Sequence, residues 1–143
     1  MRTQKATTRE ISQGAALGIF LAFAAPPGLQ LIPGLLIASL MGASRVATAL
    51  GVFVSNPLTM PLIYPASYRL GSWVTGYFLP VRVPDETEEI WQAAINESTP
   101  QFLLVNMWVG LLLLGSIFGI LAYYTAGWAF ERYVKKRQAQ PAA

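Results

Sequence analysis

Six polar side chains interrupt stretches that are otherwise apolar: Gln30, Arg45, Asn56, Thr59, Arg69 and Asn106. An ionisable group at membrane depth marks a functional site by default, because burying its charge is costly without a partner. Arg69 has no acid three or four residues away on either side. Its guanidinium must snorkel to an interface, meet backbone carbonyls freed by a helix break, or face an anion. A guanidinium suits a bidentate phosphate contact that an ammonium cannot reproduce. Arg45 falls between two helical pieces and reads first as a cytoplasmic turn residue, second as a cation for the same anion. Asn56 and Thr59 flank Pro57; such side chains cap broken helix ends before they bind ligands. Gln30 follows another proline break. Arg69, Asn56, Thr59, Gln30 and Arg45 are therefore the candidate ligand set, with an anionic lipid or solute as the ligand.

Other chemistries lack their residues. The chain contains neither Cys nor His, which removes thiol nucleophiles, the usual zinc ligands and the commonest general base near neutral pH. No Asp or Glu lies within the apolar spans, so a carboxylate proton relay has no members. There is no Ser–His set, no intramembrane Asp pair, no phosphate loop and no dinucleotide fingerprint. An enzyme is the least supported class, and neither a cofactor nor a metal nor a nucleic-acid partner is expected.

Apolar residues make up 54 % of the 143 residues and charged residues 12 %, against about 25 % charged in an average soluble domain. A soluble domain this small has a large surface to cover with polar groups. The charges are also segregated. Arg2, Lys5 and Arg9 stand at the front and Arg132, Lys135, Lys136 and Arg137 at the back, while Asp85, Glu86, Glu88, Glu89 and Glu97 cluster between them. The positive-inside rule puts both ends in the cytoplasm and the acidic stretch outside. The uncharged window Phe102–Tyr124 spans roughly 34 Å as a helix, enough to cross a bilayer. Ser98 and Thr99 can cap it, Pro100 suits its first position, and Trp108, Tyr123, Tyr124 and Trp128 fit interfacial anchoring.

The elements that must position Arg69 and Asn56 are helices broken by proline. Pro26, Pro27, Gly28 and Pro33 interrupt one apolar run and Pro57, Pro61 and Pro65 another. The pieces are Ile11–Ala25, Pro33–Ala43, Val46–Ser55 and Pro61–Leu79, the first three too short for a straight crossing of about 20 residues. Broken backbone at membrane depth must be buried in protein or line a watery cavity. Two arrangements satisfy this: re-entrant hairpins with the breaks at their tips, which is preferred, or three tilted and kinked crossings. Ala16–Leu21 resembles Ala49–Val54 in sequence, each followed by a break. Paired breaks of this kind point to transporter-like sites, although two helices drawn from one apolar alphabet can look alike by chance. Small residues recur every fourth position at Gly14/Gly18/Ala22, Gly34/Ala38/Gly42, Ala47/Gly51/Ser55, Ser67/Gly71/Thr75 and Gly115/Gly119. That spacing gives one face on which backbones approach closely. Packing within the chain is the first reading, and homo-oligomerisation through Gly115-x-x-x-Gly119 the second.

The fold class expected is all-α: a small helical integral membrane protein with Pro-broken, re-entrant helices followed by one long C-terminal transmembrane helix. Its single domain divides into a cytoplasmic N-terminus (1–10), the Pro-broken hairpins (11–81), an external acidic amphipathic linker (82–99) opened by the capping box Asp85-x-x-Glu88, the transmembrane helix (100–131) and a basic cytoplasmic tail (132–143). A cleaved signal peptide ending at Ala22-Phe23-Ala24 is the competing reading of the N-terminus. Against it, Thr7-x-x-Glu10 reads as a capping box that opens a helix, and the apolar run resumes at once.

The string Gly51-Val52-Phe53-Val54-Ser55-Asn56-Pro57-Leu58-Thr59-Met60-Pro61, with Tyr64, Tyr68 and Gly71 after it and Gly18…Pro26-Pro27-Gly28-Leu29-Gln30 before it, resembles the bacterial membrane family catalogued as domain of unknown function 2062. The resemblance covers about residues 10–80, and Asn-Pro-x-Thr after a Gly-led apolar helix is its most specific part. It implies a small protein of the bacterial inner membrane; some members are fused to sugar- or methyl-transferring domains. Two function classes remain open. One is transport or handling of an anionic lipid or solute at a polar indentation near Arg69. The other is an accessory subunit packed against a larger membrane complex. The partners expected are membrane lipids, a second copy or another membrane protein.

Overall fold

A computed structural model describes residues 7–26, 28–78 and 100–139. The described residues form five helices and no strand: α1 Thr8–Ala24, α2 Leu31–Met41, α3 Arg45–Val52, α4 Met60–Phe78 and α5 Pro100–Gln138. The described residues are all-helical, as the apolar spans and their caps predict. The 82–99 linker with its capping box, and Arg2 and Lys5, lie outside the described residues.

Local chemistry sets most boundaries. The Thr7 hydroxyl accepts from Glu10 N at 3.3 Å and the Glu10 carboxylate from Thr7 N at 3.1 Å, a complete capping box that starts α1 three residues before Ile11. Ala25 is extended (φ −131°, ψ 151°), as a residue before proline tends to be, so α1 stops there. α2 ends on Gly42, whose φ of 67° is the left-handed turn that favours glycine. The Ser44 hydroxyl caps α3 through Ala47 N at 3.3 Å. Pro65 lies inside α4, where it forgoes one backbone bond. α5 has 39 residues and is the one described helix long and apolar enough to cross a membrane.

Small residues set the packing, and α5 serves as a ruler for it. α1 runs antiparallel to α5: Gly127 meets Thr8 and Ser12, Gly119 meets Ala16, and Gly115 meets Phe20 and Phe23. α3 runs parallel to α1, with Gly14 against Ser44 and Ala47 and Gly18 against Thr48 and Gly51. α4 is again antiparallel to α5, with Gly110 on Ser67 and Gly71 on Asn106. α2 turns back from the end of α1 and rests Gly34 on Leu21, Thr48 and Val52. α1 therefore covers one half of α5 and α4 the other. They meet where Ala22, Phe23 and Leu111 form the apolar core, flanked by Ile63, Tyr64, Met107 and Leu114.

The distribution of polarity is reversed from that of a soluble domain. The largest fully buried side chains are Asn106, Thr48 and Ser67, whereas Leu40, Leu58 and Tyr77 are 86–88 % exposed. Most other large apolar side chains also face outward.

Candidate functional site

The ends of four helices converge at one depth: the last turns of α1 and α3 and the first turns of α2 and α4. The repeated motifs explain the convergence. Ala16–Leu21 and Ala49–Val54 occupy neighbouring parallel helices, and their equivalent glycines, Gly18 and Gly51, touch each other. Each motif then breaks at the same level.

Asn56 and Thr59 build the second break. Asn56 Oδ1 accepts from Leu58 N at 2.9 Å and Thr59 N at 3.1 Å, while Thr59 Oγ1 accepts from Asn56 N at 3.0 Å and reaches Val54 O at 2.8 Å. Both side chains are committed to the backbone of their own turn. That turn starts α4 and stops α3 at Val52 rather than Ser55.

Gln30 ties the two breaks together. It is buried, and its carboxamide stands among the Leu21, Ala25 and Val52 carbonyls and the Ser55 hydroxyl. It satisfies the most groups when its nitrogen donates to Ala25 O (2.9 Å) and Leu21 O (3.2 Å) and its oxygen accepts from Ser55 Oγ (2.7 Å). Those two carbonyls belong to the end of α1, where lipid could offer no donor.

Beside this latch lies a cavity of about 260 Å³, walled by Phe23, Pro26, Ser55, Met60, Tyr64, Met107, Trp108 and Leu111 among others. Among the described residues its wall has no charged side chain; its polar handles are Ser55, Tyr64 and Trp108. Such a site accepts an apolar chain with a few hydrogen-bonding groups beside it and offers nothing to neutralise an anion.

The structure gathers Gln30, Asn56 and Thr59 at this junction and leaves Arg45 and Arg69 apart from it. Arg45 is exposed as the first residue of α3, beside the Ser44 cap that packs on Gly14. Arg69 is exposed on the face of α4 that also carries Leu62, Ala66, Trp73 and Tyr77, roughly 14 Å along the helix from Met60 at ~1.5 Å per residue. The cavity at the junction is largely apolar, and Arg69 is not among the residues that line it. Ser55 was legible only as a small residue of the Ala47/Gly51/Ser55 stripe and Tyr64 only as part of the family string; neither is charged, so neither stood out as a candidate site residue. Gly110 escaped because its partner four residues before is Asn106, too large for the small-residue pattern.

Neither the curated proteins nor the solved structures include a recognisable relative of this chain. The model of one family, described as an uncharacterized protein conserved in bacteria, matches residues 1–139. With nearly the whole chain matched, well beyond the 10–80 stretch that carries the resemblance in sequence, the protein belongs to the bacterial family of domain of unknown function 2062.

Proposed function

We propose that the protein is an integral protein of the bacterial inner membrane that handles a lipid by holding part of its apolar chain at the helix breaks. The membrane assignment is supported by α5, by small polar residues inside and large apolar ones outside, and by basic groups at one end of the bundle. Arg9, Arg45 and Arg132 belong to that end, which is taken as cytoplasmic. Measured along α5 from Gly127, the breaks lie roughly 20–24 Å deep at ~1.5 Å per residue, short of a hydrocarbon core of about 30 Å. α1 and α2 then form a re-entrant hairpin, α3 and α4 one interrupted crossing, and α5 the return. Both termini fall on the same side.

The observation that carries the lipid reading is the uncharged cavity at the convergence of four helix ends, fixed by the Gln30 latch. The chain of the lipid, rather than its charge, is what such a cavity recognises. Met60→Trp fills the cavity from the first turn of α4. Native mass spectrometry of protein extracted in lipid nanodiscs is expected to show a retained lipid in the wild type and its loss in Met60→Trp, with thermal stability maintained. Equal lipid content in the two folded proteins would remove the lipid-holding role and leave the accessory-subunit reading.

A further inference from the structure

A second groove, of about 520 Å³, lies between α1, α5 and the last residue of α2, Met41. Its α1 side is the stripe Gln13, Ala16, Leu17 and Phe20, spaced i, i+3, i+4 and i+7. Arg9 stands one turn before Gln13 on the same stripe and is exposed. Its α5 side runs from Gly115 and Gly119 to Tyr123 and Tyr124, roughly 14 Å at ~1.5 Å per residue. Polarity is graded along that length. At the Phe20–Gly115 end the one hydroxyl, that of Ser116, is already committed to Leu112 O at 2.7 Å. At the opposite end stand the Gln13 carboxamide and the two tyrosines, with the Arg9 guanidinium a turn beyond. One turn past Tyr124, the Arg132 guanidinium lies 4.1 Å from the centre of the Trp128 ring, a pairing of cation and aromatic suited to the headgroup level of a bilayer.

An apolar groove at a bilayer can be covered by a second copy of the chain or by a lipid. Gly115 and Gly119, the residues that would admit a second copy, are taken by Phe20, Phe23 and Ala16 of α1. Charge selects the lipid. At this end of the bundle the described residues include Arg9, Arg45, Arg132, Lys135, Lys136 and Arg137 against two carboxylates, Glu10 and Glu131. The Glu10 carboxylate is engaged by Thr7 N at 3.1 Å. Cations clustered at the end of an apolar span attract anionic headgroups, and a guanidinium matches the geometry of a phosphate. With a phosphate at Arg9, the ester groups of a phospholipid fall level with Gln13 and the tyrosines, and an acyl chain runs on toward Phe20.

We propose that the α1–α5 groove is a binding site for an anionic phospholipid of the cytoplasmic leaflet, with its phosphate on Arg9 and one acyl chain along Ala16, Leu17 and Phe20. The site rests on the membrane assignment and is separate from the cavity at the breaks, whose described wall offers no charge by which to choose among headgroups. Native mass spectrometry of protein taken from bilayers of equal phosphatidylglycerol and phosphatidylcholine, with matched chains, tests it. The wild type is expected to retain phosphatidylglycerol in excess, and Met60→Trp to keep that excess. Arg9→Gln should bring the ratio of the two retained lipids to about one. Ile120→Trp, at a groove side chain that is 60 % exposed, should fill the groove and lower retained phosphatidylglycerol while the helical circular dichroism is unchanged. Arg69→Gln removes a charge beside the Gly71–Asn106 contact at the other end of the bundle and should preserve the excess. A ratio near one in the wild type would overturn the proposal, as would an excess that neither Arg9→Gln nor Ile120→Trp reduces. So would an excess lost equally in Arg69→Gln or in Met60→Trp, or a dimer that Ile120→Trp dissolves, which would give the groove to a second copy.

Discussion

Replacing Gly71 by alanine sets two opposing effects against each other. In an open helix interior, Gly→Ala stabilises by up to roughly 1 kcal/mol through helix propensity. At Gly71 the added Cβ would land on the Asn106 carbonyl oxygen, with that carbonyl carbon at 2.7 Å and Gly110 N at 3.0 Å. All three atoms are backbone, so no rotamer change relieves the overlap. α4 and α5 must separate, which also loosens the Gly110–Ser67 contact. Overpacking of this kind costs about 1–3 kcal/mol, and a clash with rigid atoms belongs at the upper end, leaving a net loss of roughly 1–2 kcal/mol after the propensity gain. Gly34 supplies the control. Its Cβ would meet the terminal Leu21 Cδ1 at 3.2 Å and Thr48 Cγ2 at 3.4 Å, and the leucine methyl can rotate away. Gly34→Ala should therefore be neutral or slightly stabilising. Reversible unfolding in mixed micelles with rising dodecyl sulfate measures both. A Gly71→Ala protein as stable as Gly34→Ala would refute the backbone contact between α4 and α5.

Gln30→Leu removes the latch and strands the Ala25 carbonyl, while Leu21 O keeps its bond from Ala25 N; the loss should cost about 1–3 kcal/mol in the same unfolding assay, and unchanged stability would show that the two breaks are held by other groups. Thr59→Val keeps the shape but loses the bonds to Asn56 N and Val54 O, with an expected cost of roughly 1–2 kcal/mol. Arg69→Leu should leave lipid retention unchanged in native mass spectrometry, because Arg69 does not face the cavity; loss of lipid in that variant would bring Arg69 back into the site. With no native cysteine in the chain, Thr3→Cys and Gln140→Cys should resist an impermeant thiol reagent in intact cells while Glu88→Cys reacts, and labelling at either terminus would reverse the proposed orientation.

Much of the skeleton was legible because it depends on neighbours in sequence. The Thr7–Glu10 box, the prolines at 26, 57 and 61 and the uncharged window of α5 act locally. The extent of α3 was not, because the Asn56–Thr59 turn reaches back to Val54 and shortens the helix by tertiary-like bonds that periodicity does not register. Arg69 is more instructive. Ser67, Gly71 and Thr75 mark one face of α4, and Arg69 lies two residues from both Ser67 and Gly71, about 200° around a helix of 3.6 residues per turn. The stripe that lets α4 approach α5 turns Arg69 away from that contact. The cavity and the Gln30 latch could not be read in advance, since each is assembled from helices whose relative depth is set only when Gly18 meets Gly51.

The parallel course of α1 and α3 has an electrical consequence. Each helix end carries about half an elementary charge, negative at the C-terminus and positive at the N-terminus. Two C-termini, of α1 and α3, and two N-termini, of α2 and α4, arrive at the same junction, so the four half-charges cancel. The chain keeps interrupted backbone deep in the bundle without digging a potential well for ions of either sign.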